Sequence, residues 1–202
     1  LILKFNEYIN TLKNKKSKLI ICDIGAQSGC FTLLSKIHSN TYWYSFEPVP
    51  VSYNLLNSNI KLNNINNVKT YNVALSNFIG NDKLKIPNNN HLGLPTLRKT
   101  PPHINSYYEI DVSINYLDNI LPEVNLLKID VEGAELLVLD GMKNIIKNNK
   151  PIIFLEIAIG CLKGFNNTID DFLSKIEEIN YKVVWADRAN WKEGGNIIIE
   201  SK

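Results

Sequence analysis

Nothing in the chain approaches 18 consecutive apolar residues, which excludes a membrane-spanning helix of ordinary length. No secretory signal opens it, although it begins at Leu1 rather than Met, which leaves open whether a segment precedes it. Cysteine is scarce. Cys22, Cys30 and Cys161 are odd in number and not spaced for a metal. Cys22 and Cys30 read as small core residues, and a reducing, cytoplasmic compartment follows. An excess of one charge is also absent. Lys and Arg total 22 against 20 Asp and Glu, a net charge of +2. A dedicated nucleic-acid binder carries a concentrated basic stripe, and the one basic cluster here, Lys13, Lys15, Lys16 and Lys18, reads as a solvated helix end. No internal repeat or linker divides the chain, so its 202 residues are expected to form a single domain.

What is present is an alternation of strand and helix patterns. Residues 1–16 read helical, since Leu1, Phe5, Tyr8 and Leu12 recur at spacings of three and four. A buried strand at 18–23 leads to a helix at 29–37. A second strand at 41–46, a helix at 51–62 and a third strand at 68–73 follow. This order predicts a parallel sheet with right-handed crossovers. The middle breaks the rhythm: 74–86 reads as a hairpin around Gly80-Asn81-Asp82, and 87–106 is irregular, with Pro95, Pro101 and Pro102. A loop of that length suggests a substrate lid over residues 87–108. After a strand at 108–114 and a helical turn at 117–121, strands at 126–130, 152–157 and 182–186 alternate with helices at 134–147 and 169–179. A last strand at 196–200 would form an antiparallel hairpin with its predecessor.

Two acids fall in register. Asp23 opens the loop Asp23-Ile24-Gly25-Ala26-Gln27-Ser28-Gly29 after the first strand, and Glu47 ends the second. Glycines there permit a tight turn and close backbone approach to a ligand. An acid at the end of the second strand accepts hydrogen bonds from ribose hydroxyls, which both NAD and S-adenosylmethionine (SAM) possess. The glycine spacing is Gly-x-x-x-Gly, not Gly-x-Gly-x-x-Gly, which weighs against an NAD-binding oxidoreductase. A loop or helix cap is the plainer role for Asp23, and an exposed strand end for Glu47.

The blocks DIGAQSGCFTLL, SFEPVPVSYNLLNSNIKLNN, NVALSN, LLKIDVEGAELLVLDGM and PIIFLEI, in this order, resemble the FkbM family of SAM-dependent methyltransferases. The resemblance covers residues 20–157 and implies a class I methyltransferase fold: a doubly wound α/β, Rossmann-like domain. Its seven-stranded, mostly parallel sheet has the order 3-2-1-4-5-7-6 and an antiparallel last strand. It implies SAM as donor and a hydroxyl as the usual acceptor. Position by position, Asp23, Gly25, Ala26, Gln27 and Gly29 should hold the methionine part, Glu47 the ribose, and Asn72, Val73 and Ala74 the adenine. Gln27 stands where Asn is frequent in the family. The 87–106 segment matches poorly, so the acceptor transfers least.

The chemistry is expected in LLKIDVEGAE, residues 126–135. Strand alternation puts Leu126, Lys128 and Asp130 on one face. A buried Lys128 needs a partner, and Asp130 and Glu156 are the natural ones, whether as a self-neutralising pair or as catalytic groups. Asp130, at the strand end, is expected to touch SAM beside its methyl group, and could accept the proton of a hydroxyl or orient it. Glu132 precedes Gly133, where an acid also suits a helix start. It is counted as site-lining because the family block keeps an acid there. Glu135 reads as a solvent-facing or capping residue outside the site. Asp130, Glu132 and Glu156 with His91 or His103 could supply oxygen-rich ligands for Mg²⁺, but no tight spacing supports a metal. His91 or His103 could instead act as the base from a lid. The expectation is therefore an O-methyltransferase acting on a sugar, glycan or small metabolite. A nucleic-acid methyltransferase and a SAM-binding domain without turnover are the alternatives.

Overall fold

The structure is a computed structural model that describes residues 1–88 and 106–202. Helix α1 (Ile2–Lys13) turns Phe5 and Ile9 inward and leads to β1 (Ile20–Ile24), which is buried at every position. A 3₁₀ helix, Thr32–Ile37, then replaces the longer helix expected from residue 29. Next come β2 (Tyr42–Phe46), α2 (Pro50–Leu62) and β3 (Val68–Tyr71). Pro50 opens α2, where its fixed φ and missing N–H are harmless.

The stretch expected as a hairpin is built differently. A two-residue strand β4 (Ala74–Leu75) and a longer β5 (Gly80–Pro87) do not pair with each other. Both pair with β6 (Tyr107–Asn115), β4 in parallel and β5 antiparallel. Gly80-Asn81-Asp82 is the start of β5, not a turn. The alternation that buries Leu84 and Ile86 was visible in the sequence, but its partner lies beyond residue 105. Asn88 N donates to Ser106 O at 3.1 Å, so the chain leaves and re-enters this small sheet at one point.

After the short α3 (Leu117–Ile120) comes β7 (Leu126–Ile129), buried throughout. The helix expected over 134–147 is two helices, α4 (Glu135–Asp140) and α5 (Lys143–Asn149). The carboxylate of Asp118 accepts from Asn144 N at 2.8 Å and Ile145 N at 3.0 Å, which caps α5 from outside and fixes the break. Then follow β8 (Ile152–Ile157), a short α6 (Ile159–Leu162) that local pattern did not reveal, α7 (Ile169–Glu178), β9 (Tyr181–Ala186) and β10 (Gly195–Ser201).

The main sheet runs β3-β2-β1-β7-β8-β10-β9, with β10 antiparallel to both neighbours. This is the 3-2-1-4-5-7-6 order that the resemblance implied. One face packs α1 through Phe5, Trp43 and Phe154, whose rings meet edge-on or tilted. The other face carries a larger core that includes Leu136, Met142, Ile146 and Phe172. The small sheet has its own cluster around Val49, Leu84 and Val112. Among the described residues no helix is long and apolar enough to cross a membrane.

Candidate active site

The sheet order reverses between β1 and β7, the place where open α/β sheets bind ligands. A cavity of about 300 Å³ opens there at the carboxyl ends of β1, β2, β7 and β8. One wall is apolar, from Phe46, Val49, Val73, Leu75 and Leu84. The opposite end is acidic, with Asp130, Glu132 and Glu156.

The first loop is held tightly. Gly25 has φ +75°, and a Cβ built there would lie 1.9 Å from Asp130 O, so no other residue fits. Gly25 N and Ala26 N both donate to Phe46 O, at 3.0 and 2.9 Å. Gln27 N donates to Glu47 Oε2 at 2.8 Å, and Val49 N to Glu47 Oε1 at 2.8 Å. One carboxylate therefore ties the loops after β1 and β2 together. Glu47 is buried, not the exposed strand end its position before Pro48 allowed. Burial pushes its pKa up, and the two N–H donors and Lys128 only partly oppose this. Asn72 staples the same corner by donating to Glu47 O and Pro48 O.

Lys128 is buried, as alternation required, and it pairs with Asp130 as expected, but Asp23 takes the place expected for Glu156. Its Nζ donates to Gly25 O at 2.8 Å and pairs with Asp130 Oδ2 at 3.2 Å and Asp23 Oδ1 at 3.6 Å. Among the described residues no ion pair joins it to Glu156. The register explains the change: Asp23 of β1 lies directly opposite Lys128 of β7. Burial works against the ammonium, but Asp23 and Asp130 outweigh it and raise its pKa. The other oxygen of Asp23 accepts from Thr32 N at 3.0 Å and Thr32 Oγ1 at 2.6 Å, which starts the 3₁₀ helix.

The turn after β7 carries the remaining acids. Glu132 is left-handed at φ +53° and Gly133 follows at φ +101°. Cys161 Sγ donates to Glu132 Oε2 at 3.2 Å, and burial pushes that thiol's pKa up, so the sulfur keeps its proton. Burial, with Asp130 and Glu156 nearby, pushes the Glu132 pKa up to about 7. Burial and Asp130 do the same to Glu156, also to about 7. Glu135, expected either to face solvent or to cap its helix, is 1% exposed, so the solvent-facing alternative fails. It folds back over the turn that precedes its own helix.

Of the residues read from sequence, Gly25, Ala26, Gln27, Glu47, Val73, Ala74, Lys128, Asp130, Glu132 and Glu156 line the cavity. Asp23, Gly29 and Asn72 do not; they brace the loops behind it. Cys30, expected in the core, is exposed at the cavity wall beside Phe31. Leu84 went unread because its place depends on the small sheet. His91 and His103 lie outside the described residues. Among those described, no group of three His, Cys, Asp or Glu could hold a metal ion.

A 3-2-1-4-5-7-6 sheet with a switch-point cavity and an acid ending the second strand defines a class I methyltransferase domain. Its sequence matches the methyltransferase FkbM domain over residues 23–183, and the chain belongs to that family, whose methyl donor is SAM. Methyltransferase sdnD of Sordaria araneosa is 29% identical over 68% of this chain and 66% of its own length. Methyltransferase 1 of Beauveria bassiana is 28% identical over 60% and 57%. The chain thus matches less than two thirds of either relative. The FkbM methyltransferase of Methylobacillus flagellatus superposes with a TM-score of 0.59 at 14% identity, over 91% of this chain and 44% of that one. Precorrin-6y C5,15-methyltransferase of Geobacter metallireducens gives 0.54 at 16%, over 96% and 86%. At these identities the structures speak for the fold.

Proposed function

We propose that this domain transfers the methyl group of SAM to a hydroxyl oxygen of a sugar, glycan or small metabolite. The observation that carries the reading is the pairing of Asp130 with buried Lys128 at the acidic end of the cavity. The cavity suits the donor in three respects. Gly25, Ala26 and Gln27 give a close-approach loop for the methionine part. Each Glu47 oxygen already accepts one backbone N–H and keeps a lone pair for the ribose diol. Val73, Ala74 and the apolar wall suit the adenine.

SAM supplies an electrophilic methyl group, and the residues at the acidic end act on the acceptor. Carboxylates accept hydrogen bonds, so a hydroxyl is the natural group to dock there. Lys128 holds Oδ2 of Asp130, which leaves Oδ1 outside the ion pair to take or orient the hydroxyl proton. Glu156, which hydrogen-bonds Asp130 and is pushed up to about 7 by burial and by Asp130, can share that proton. Asp23 and Gly29 serve as supports.

The test uses SAM labelled in its methyl group with glycan and metabolite fractions of the native host. Wild type is expected to label a hydroxyl compound. Asp130→Asn should lose roughly 10²–10⁴-fold in rate while its SAM affinity stays unchanged. An intact rate removes Asp130 as base or orienter. SAM should raise the thermal midpoint and NAD should not; the reverse would sink the cofactor assignment.

A further inference from the structure

We infer that Glu135 is a positioning residue whose buried carboxylate sets the left-handed turn that carries Glu132 to the acidic end of the cavity. This rests on the proposed function only for what Glu132 does there. The placement itself is independent of it.

Gly133 adopts its positive φ freely, but Glu132 has a Cβ that disfavours the left-handed conformation. The surroundings must enforce it. They do so from two sides. From within, Glu135 Oε1 accepts from Val131 N at 3.3 Å and Gly133 N at 3.1 Å, the amides that flank Glu132. From outside, Cys161 O occupies the space a Cβ on residue 133 would need, 2.5 Å away, and the Cys161 thiol holds the Glu132 carboxylate. Glu132 is thereby fixed at both backbone and side chain.

The arrangement is expensive for stability alone. Glu135 is 1% exposed, and its Oε2 has no hydrogen-bond partner among the described residues. Burial pushes its pKa up to about 7, helped by the nearby Asp130 and opposed by three backbone amides: its own and those of Gly133 and Val131. An apolar residue would fill the same volume without that desolvation. Only an acceptor oxygen at the end of a two-carbon stem satisfies both amides. Gln keeps that oxygen, and Ala removes it.

The experiment follows the Glu132 carboxyl by ¹³C NMR in protein labelled at glutamate side-chain carbonyls, from about pH 4 to 9. A Glu132→Gln sample assigns the signal. In wild type and in Glu135→Gln, Glu132 should titrate near 7. In Glu135→Ala it should fall by about one pH unit or more, a tenfold change in proton affinity, as the turn relaxes toward water. A merely structural role would lower the melting temperature of Glu135→Ala and leave the Glu132 titration in place, and that result overturns the inference. So does a Glu135→Gln protein whose Glu132 titrates well below the wild-type value, because charge rather than the acceptor oxygen would then matter. If Glu135→Ala does not fold, Glu135→Asp takes its place: its carboxylate stops one carbon short of the two amides, so Glu132 should again titrate about one pH unit or more below wild type, and an unchanged titration overturns the inference. The titration needs neither SAM nor acceptor. Failure of SAM to bind wild type would thus strike the cofactor reading and leave this one standing.

Discussion

Lys128 shows what one residue can and cannot disclose. Alternation along β7 placed it inside, and burial demanded an anion. Which anion depended on the register of β1 against β7, and register between distant strands is not written in either strand. Asp23 is consequently a structural partner more than a ligand-facing one. Lys128→Met should leave Asp23 buried and uncompensated, at about 3–5 kcal/mol, measured as a shift in the urea midpoint. Adding Asp23→Asn should recover much of that loss. If the two losses simply add, the pair is not coupled. Glu135 stayed open between solvent and a cap for a related reason. Helical spacing alone cannot say that a side chain folds back onto its own N-terminal turn.

Elements were legible wherever their signals were local. The strand and helix alternation through residue 73, and again from residue 126, follows from apolar runs, prolines and glycines in the sequence. The small sheet was not legible, because β5 and β6 find each other across residues 89–105 and β4 joins them from the far side. The interrupted helix was missed because its break is imposed by Asp118, 26 and 27 residues upstream of the amides it caps. Asp118→Ala should cost about 0.5–2 kcal/mol and raise hydrogen exchange across α5, with α4 unaffected. Equal exchange in both helices would mean that the break has another cause.

For the molecule as a whole, the acidic end of the cavity sets the response to pH. Glu132, Glu135 and Glu156 are held near 7 in the folded chain, above their ordinary value of 4.5. Between those values the folded state binds more protons than the unfolded state. The stability they contribute is complete below the ordinary value and is lost as pH rises through about 7. His38, held low by burial and Lys13, acts in the opposite sense as pH falls through 6.5, but it is one group against three. The melting temperature should therefore be higher at about pH 5.5 than at about pH 8, and Glu135→Gln should flatten the slope. A wild-type stability that rises from the lower pH to the higher would contradict this balance.

The meeting of Asn88 and Ser106 has a consequence for change over time and for engineering. The sheet asks only that the two ends meet, so the length and chemistry of what joins them are free to vary at little thermodynamic cost. The junction lies a few residues from Leu84 on the cavity wall. Exchanging what joins the two ends is therefore the way to test the proposed acceptor role of that segment, with no change asked of Gly25, Gln27 or Glu47.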